Sequence, residues 1–300
     1  LDRARSRPKR WTVCAAGSPL SGDLRSPRIH QAMDRSDYRD HAPRLIPLVR
    51  SLPQLNAVLR DGVSLRYCEF EDPKKYREMV RRVRETGTAE IFIAPPRVHK
   101  PGEDWIHRLM LAAEPDGFLV RNYDHLETFA GRRCVGDFSL NVANPLSAEH
   151  FMTRHGLERL TASYDLNGEQ LEALLLGSNP AWFEVTLHQH MPMFHMEHCV
   201  FCAFMSEGAD YRNCGRPCEK HEVRLRDRVG QEHRLKADAG CRNTVFNARA
   251  QTGAEHLPRL TAAGLRHVRI EFLDEAPDSV ATTLARYRDL LEGRITGTDL

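Results

Sequence analysis

From about residue 55 onward, short apolar runs alternate with amphipathic stretches, and this pattern predicts strands alternating with helices. Residues 90–94 (EIFIA) form a continuous apolar run, which is typical of a strand buried in a parallel sheet. Five further runs of similar character follow, at residues 117–121, 133–140, 159–163, 183–187 and 267–272. Upstream, residues 55–60 and 64–70 have the β-branched and apolar content of two short strands.

Helical stretches separate most of these runs. We predict helices at residues 73–85, 105–113, 125–130, 147–155, 168–176, 256–263 and 279–292. Strand–helix repeats of this kind indicate parallel β/α units with right-handed crossovers. No glycine-rich phosphate loop follows a predicted strand, so an α/β fold of the (β/α) TIM-barrel type is favoured over a doubly wound dinucleotide fold.

The expected barrel is incomplete at its N-terminus. A complete barrel needs eight strands, and the chain begins at Leu1 rather than at a methionine. We therefore expect missing strands upstream, supplied by a lost N-terminal segment or by a protein partner. Residues 1–50 are basic and interrupted by prolines, which predicts a leader or linker, or alternatively a basic arm that contacts RNA or a partner. Residues 51–300 are then the barrel domain.

Composition excludes several classes of protein. The 300 residues are 28% charged and 41% hydrophobic with a net charge of +2, which is ordinary for a globular protein and does not demand nucleic acid. No apolar run approaches the roughly 18 residues that a membrane helix needs, and the N-terminus lacks the apolar segment of a signal peptide. We expect a cytoplasmic protein, with no membrane contact, whose clustered cysteines bind metal rather than form disulfides.

The candidate chemistry lies in residues 188–247, a cysteine-rich segment placed as an insertion before the last predicted strand. It contains five of the eight cysteines: Cys199, Cys202, Cys214, Cys218 and Cys241. A zinc ribbon would show two C-x₂-C knuckles, but only Cys199-x₂-Cys202 has that spacing. Iron–sulfur clusters and structural zinc both take four such ligands, and separated ligands favour a cluster while leaving zinc open.

Several motifs of the chain resemble those of the collagenase-like peptidase family U-32. In the cysteine-rich segment these are His190-x-Pro192-Met193-x₅-Cys199, Cys214-x₃-Cys218 with LRDRVG after it, and Asp238-x₂-Cys241-Arg242-x-Thr244. Upstream, residues 70–73 (FEDP), 94–103, 120–122 and 138–144 are similar to the barrel motifs of that family, and residues 268–271 (VRIE) to its final strand. The resemblance covers roughly residues 55–292.

The resemblance implies a 4Fe–4S cluster held by Cys199, Cys214, Cys218 and Cys241. Cys202 stands where relatives usually have another residue, so it is either a bystander or an alternative ligand. His190 also departs, because relatives commonly have arginine there. Relatives are known as oxygen-independent hydroxylation proteins that act on RNA bases or on ubiquinone precursors, and this implies an RNA or small aromatic substrate.

The catalytic residue stays unknown at this stage. The family name implies proteolysis, but neither a G-x-S-x-G elbow nor an H-E-x-x-H helix is present in the sequence. Three functions remain open: a cluster-dependent hydroxylase, a peptidase, and a non-catalytic iron–sulfur or zinc scaffold that works with a partner. Residues at strand ends or beside ligands are the candidates for substrate binding: Arg97, Lys100, Arg121, Asn141, Asn144, His190, Arg242 and Arg269. Structural ion pairs are the alternative for the lysine and the arginines, and capping of the next helix is the alternative for Asn141 and Asn144.

Overall fold

The computed structural model describes residues 42–87 and 89–300. Its centre is a sheet of parallel strands, each followed by a helix on the outer side, as the sequence pattern predicts. The eight strands of this sheet are β1 (Arg44–Val49), β2 (Leu65–Cys68), β3 (Glu90–Ile93), β4 (Gly117–Val120), β5 (Cys134–Gly136), β6 (Arg159–Thr161), β7 (Phe183–Met196) and β11 (His267–Glu271). The predicted (β/α) barrel is therefore confirmed.

The barrel is closed, so the prediction that it is incomplete is wrong. The last strand, β11, pairs in parallel with β7 on one side and with β1 on the other. Strand β1 lies inside the stretch that we predicted to be a leader, where Pro47 interrupts the expected strand pattern. Neither a preceding segment nor a partner is needed to complete the ring of eight strands. Residues 1–41 of the predicted leader lie outside the described residues.

Helices cover the outside of the ring. They are α1 (Leu52–Arg60), α2 (Tyr76–Glu85), α3 (Asp104–Leu111), α4 (Tyr123–Thr128), α5 (Pro145–His155), α6 (Gly168–Gly177), α8 (Leu257–Ala262) and α9 (Pro277–Leu291). Helix α1 corrects the predicted strand at residues 55–60. Ser51 caps this helix by accepting a hydrogen bond from the Gln54 amide, and Pro53 occupies its first turn, which is a favourable place for proline. Among the described residues, no helix is both long and apolar enough to cross a membrane.

Alternate residues of the strands face two different environments. The side chains that point outward join those of the helices in the large apolar core, while Ile46, Leu48, Tyr67, Phe92 and neighbouring residues form a smaller apolar cluster inside the ring. The rest of the interior is charged. Arg269, Glu184 and Asp137 are fully buried there, which departs from the branched aliphatic layers that usually fill such barrels.

The segment between β7 and β11 builds an antiparallel extension on one end of the barrel. The first part of β7 belongs to the ring, and its second part pairs with β10 (Asn243–Thr252), which is followed in the sheet by β9 (Glu232–Ala237) and β8 (Val223–Arg226). The short helix α7 (Val200–Met205) precedes β8. Because the extension continues from the carboxyl end of β7, it lies at the end of the barrel where enzymes of this fold place their active sites.

Candidate functional site

The five clustered cysteines line one cavity, which we call the cysteine cavity. Cys199, Cys202, Cys214, Cys218 and Cys241 all contribute to its wall, although up to 42 positions of sequence separate them. Aromatic rings complete it, with Trp105 of α3 stacked on Tyr211 at a ring-centroid distance of 5.2 Å. The other two described cysteines, Cys68 and Cys134, are buried elsewhere in the apolar core.

Local backbone structure places each thiol. Cys199 is the N-cap residue of α7, and Cys218 lies in a single 3₁₀ turn, Pro217–Glu219. Cys241 has a left-handed backbone with φ of 60° in the turn between β9 and β10. A non-glycine residue in that region carries a conformational cost of about 1 kcal/mol or more, which is a feature of functional sites.

Amide groups point at two of the sulfur atoms. The Cys202 amide donates to Cys199 Sγ at 3.4 Å, and the Arg216 amide donates to Cys214 Sγ at the same distance. Asn243 adds a side-chain donor, with its Nδ2 3.8 Å from Cys199 Sγ. Donors of this kind stabilise negative charge on sulfur, and hydrogen bonds to the sulfurs are one of the ways in which proteins set the potential of iron–sulfur clusters. Asn243 was not among the residues predicted from the sequence, although it follows Cys241 closely.

Cys202 differs from the other four cysteines. Its thiol lies 3.0 Å from the carbonyl oxygen of Gly208 and donates to it, and the side chain is buried. A thiol that donates to a carbonyl keeps its proton, whereas a metal ligand must lose it. The donor set therefore fits four thiolate ligands at Cys199, Cys214, Cys218 and Cys241, with Cys202 in a supporting position.

A second cavity, the mouth cavity, adjoins the cysteine cavity at the carboxyl ends of β2, β3 and β4. The two cavities share three wall residues, Glu71, Ala237 and Asp238. Burial raises the pKa of Asp238 to about 6, and its Oδ2 atom has no hydrogen-bond partner among the described residues. Because the two cavities share these wall residues, a molecule in the mouth cavity would be separated from the thiols by one layer of side chains.

Two of the predicted substrate-binding arginines line the mouth cavity, but only one is available to a ligand. Arg121 is almost fully buried and forms ion pairs with Glu69 and Asp137. Arg97 is half-buried, and no carboxylate among the described residues forms an ion pair with it. Burial, together with the nearby Arg121, lowers the pKa of Arg97 from its ordinary value, so an anion bound beside Arg97 would stabilise its charged form.

Arg269 lies inside the barrel and not in the mouth cavity. Its guanidinium contacts Asp137 at 2.6 Å, Glu271 at 3.0 Å and Glu184 at 3.4 Å. The side chain is fully buried and stacks over the Tyr67 ring at 5.2 Å. Arg269 therefore forms structural ion pairs, which were the alternative to substrate binding.

Apart from Asn141, the remaining candidates have structural partners. Arg242 is buried next to Cys241 and binds Glu103 through Nη2 at 2.8 and 2.6 Å. Asn141 is exposed and has a left-handed backbone at the end of a 3₁₀ turn. His190 lies with Nδ1 2.7 Å from the Asn247 carbonyl oxygen and Nε2 3.2 Å from Glu275. Lys100 pairs with Glu197 at the surface, and Asn144 caps α5.

A histidine–threonine pair in the mouth cavity was not predicted as a unit. His195 of β7 and Thr244 of β10 face each other across the antiparallel extension, with Nδ1 2.9 Å from Oγ1. Burial, with Arg97 and Arg242 nearby, lowers the pKa of His195 to about 4, so the ring is neutral at physiological pH. The only signal in the sequence was the position of both residues close to the clustered cysteines, and the register of two strands cannot be read from that position.

Comparison with known proteins places the chain in a family. No curated protein sequence matches it. Among solved structures, a proposed fructose-1,6-biphosphate aldolase from Coccidioides immitis is 11% identical with a TM-score of 0.45, covering 89% of this chain and 94% of that one. The homocysteine methyltransferase MmuM from Escherichia coli is 12% identical with a TM-score of 0.38, covering 95% and 91%. These scores are too low to support any argument about function. The model of Peptidase family U32 matches residues 126–299, more than half of the chain, and the chain therefore belongs to that family.

Proposed function

We propose that this protein is an iron–sulfur enzyme that modifies an aromatic substrate by oxygen-independent hydroxylation. The observation that carries the proposal is the shared wall between the cysteine cavity and the mouth cavity. It would bring a bound substrate close to four thiols suited to a 4Fe–4S cluster. When bound, such a cluster supplies electron transfer or a site for an oxygen donor, while the protein supplies binding and orientation.

Cys199, Cys214, Cys218 and Cys241 would hold the cluster. The amides of Cys202 and Arg216 and the side chain of Asn243 donate to two of these sulfurs and so fix the positions of Cys199 and Cys214. Iron–sulfur clusters are ligated by cysteine thiolates in sets of four, which matches this donor set. Zinc could take the same four thiolates, and metal analysis separates the two.

Arg97 is the residue that we assign to substrate binding. Its guanidinium lies 5.5 Å above the Phe138 ring, which is itself stacked on Tyr164 at 4.0 Å. An unpaired cation beside stacked aromatic rings suits a substrate that carries both an aromatic ring and an anionic group. The neutral His195 lines the same cavity and can hold or pass a proton at its ring nitrogens.

A small aromatic acid fits the surroundings better than RNA does. A larger cleft of about 360 Å³ opens beside Cys218, and its wall mixes lysines and arginines with nearly as many carboxylates. Arg224 and Arg234 in that wall are already paired with Glu232 and Asp274. Binding of an RNA backbone relies on a basic surface that neutralises several phosphates, and this cleft is of mixed charge.

The His195–Thr244 pair is the observation that favours the alternative, a peptidase. A hydroxyl beside an imidazole supplies two of the three groups of a nucleophilic site, the nucleophile and the base. Such a site also requires a third group that orients the base. In the described part of the chain, however, His195 Nε2 is buried without a hydrogen-bond partner. The peptidase hypothesis therefore ranks second, and it predicts gelatin hydrolysis that Thr244→Val abolishes.

The first experiment tests the metal site. Protein purified without oxygen is analysed for iron, sulfide and zinc, and its visible spectrum is recorded. We expect about four irons per chain, with iron lost in Cys214→Ala and Cys241→Ala and retained in Cys202→Ala. Full retention of iron in Cys241→Ala would refute the ligand assignment, and zinc without colour would favour the scaffold.

The second experiment tests the substrate. Anaerobic cells that express either the wild-type chain or Arg97→Ala are compared by mass spectrometry of small aromatic acids and of RNA digests. We expect one hydroxylated aromatic product that disappears with Arg97→Ala, although the variant keeps its iron. Arg249→Ala, an exposed arginine on β10, is the matched control and should retain the product. A hydroxylated nucleoside in the RNA digest would show that RNA is the substrate.

A further inference from the structure

A group of possible metal ligands lies outside the cysteine cavity, in the segments that follow β3 and β4. His99 belongs to the connection between β3 and α3, His107 to α3, and Asp124 to the first turn of α4. One ligating atom from each of these three side chains lies within 4.8 Å of the other two. We propose that His99, His107 and Asp124 bind a divalent transition-metal ion of the zinc type.

The donor chemistry supports this assignment. Two imidazoles and a carboxylate form a common ligand set for Zn²⁺, which takes three protein ligands and leaves a fourth position open. The two imidazole rings are in contact, with centroids 4.2 Å apart at a tilt of 37°. Asp124 is about half exposed while His107 is buried, so the site combines a route of entry with a protected interior.

Both ring nitrogens of His99 face carboxylates. Its Nδ1 lies 2.6 Å from Asp124 Oδ2, and its Nε2 lies 3.2 Å from Asp104 Oδ1. The Nε2 atom is buried, and its geometry toward Asp104 does not meet that of a hydrogen bond. When Nδ1 binds the metal beside Asp124, Nε2 can donate a hydrogen bond to Asp104. A hydrogen bond from the second ring nitrogen to a carboxylate is the usual way in which a ligating histidine is oriented.

The loop that carries His99 is held in place at both ends. Asn122 Nδ2 donates to the Arg97 carbonyl oxygen at 2.9 Å, while its Oδ1 accepts from the His125 amide and caps α4. At the other end, Glu103 is bound by Arg242. These bonds fix the β3 loop against α4, and therefore His99 against Asp124, before any ion binds.

His125 is close but has another role. Its ring packs against His107 with centroids 5.0 Å apart, and its Nδ1 accepts a hydrogen bond from the Arg121 amide at 3.1 Å. That nitrogen is therefore committed to the backbone. His125 completes the wall behind His107 and is not one of the proposed ligands.

The test measures metal binding to the whole protein after purification without oxygen. Whatever the cysteine cavity holds on purification is left in place. Co²⁺ serves as the spectroscopic probe, because thiolate ligands give it charge-transfer absorption that nitrogen and oxygen ligands do not. We expect one Co²⁺ per chain to bind without thiolate bands, and Zn²⁺ to displace it. Bound metal should also raise the melting temperature.

Three variants locate the ion. His107→Gln and Asp124→Asn should each weaken Co²⁺ binding by at least about tenfold, and Asp104→Asn should weaken it by about 10–100-fold because His99 loses the carboxylate that orients it in the metal-bound state. Asp124 is exposed enough that its variant should fold even if His107→Gln does not. His150→Gln, an exposed histidine on α5, is the matched control and should bind as the wild type does.

Two results would overturn the proposal. One is a wild-type chain that binds no Co²⁺ apart from ions with thiolate bands. The other is an Asp124→Asn variant whose affinity equals that of the wild type. Neither result depends on whether the cysteine cavity holds iron, because iron content is measured separately on the same samples.

Discussion

Replacing Arg269 with methionine should destabilise the barrel severely without touching the cysteine cavity. Methionine keeps much of the length and apolar volume of the arginine side chain but removes its charge and its donors. Asp137, Glu184 and Glu271 would then lose the cation that lies among them, in a region without exposure to water. Burial alone would lower the pKa of Arg269, but these carboxylates raise it well above its ordinary value, which shows how strongly they favour the charged form.

The magnitude follows from the partners that remain. Asp137 would keep Arg121, Glu184 would keep hydrogen bonds from Tyr67 and Thr161, and Glu271 would keep Arg50. Removing one member of a buried ion pair costs about 3–5 kcal/mol, because the other charge is left uncompensated. In a domain of this size each kcal/mol lowers the melting temperature by about 2–4 °C, so we expect a decrease of about 6–20 °C.

The assay is thermal unfolding followed by circular dichroism, with the wild type and Arg269→Met prepared under identical anaerobic conditions. Arg224→Met is the matched control, since that arginine pairs with Glu232 at the surface, and its melting temperature should be nearly unchanged. The arginines hold the pKa of Asp137 below its ordinary value of 3.8 despite its burial, and this stabilisation is lost as pH falls through the folded-state pKa. The difference between wild type and Arg269→Met should therefore shrink in acid. A loss of less than about 1 kcal/mol at neutral pH would refute the reasoning.

Two further predictions concern the extension. Burial alone would lower the pKa of His190, but the hydrogen bond with Glu275 raises it above 6.5, while the pKa of Glu275 is lowered to about 2. The ion pair therefore stabilises the fold below about pH 6.5, and this stabilisation is lost as the pH rises through the folded-state pKa of His190. The difference in melting temperature between wild type and His190→Gln should be largest near pH 6 and smaller near pH 9. A difference that does not change with pH would contradict the ion pair. A Cβ at Gly208 would lie 2.4 Å from the Asn213 backbone oxygen and 2.7 Å from the Cα of Cys214, so Gly208→Ala should displace Cys214 and reduce iron content. Normal iron content would show that the loop adapts.

Local sequence patterns identified most of the secondary structure. The βα units between residues 90 and 272 were predicted correctly because each strand is a compact apolar run bounded by polar or glycine residues. The stretch 55–60 was assigned to the wrong class because its apolar content suits either element, although Ser51 and Pro53 already formed a helix start. Strand β1 was missed because Pro47 disturbs its pattern, and its place is set by pairing with β11, more than 200 residues away.

The sequence by itself determined the fold class and the set of cysteines, because both depend on residue types and short spacings. Only the tertiary structure decided that the barrel closes, since closure is a contact between its first and last strands. The tertiary structure also distinguished arginines that were equivalent candidates in the sequence. Arg269 is enclosed by carboxylates in the interior, while Arg97 faces a cavity without an ionic partner in the described part of the chain. The grouping of His99 with His107 and Asp124 likewise depends on two adjacent loops meeting in space, for which short-range sequence patterns carry no signal.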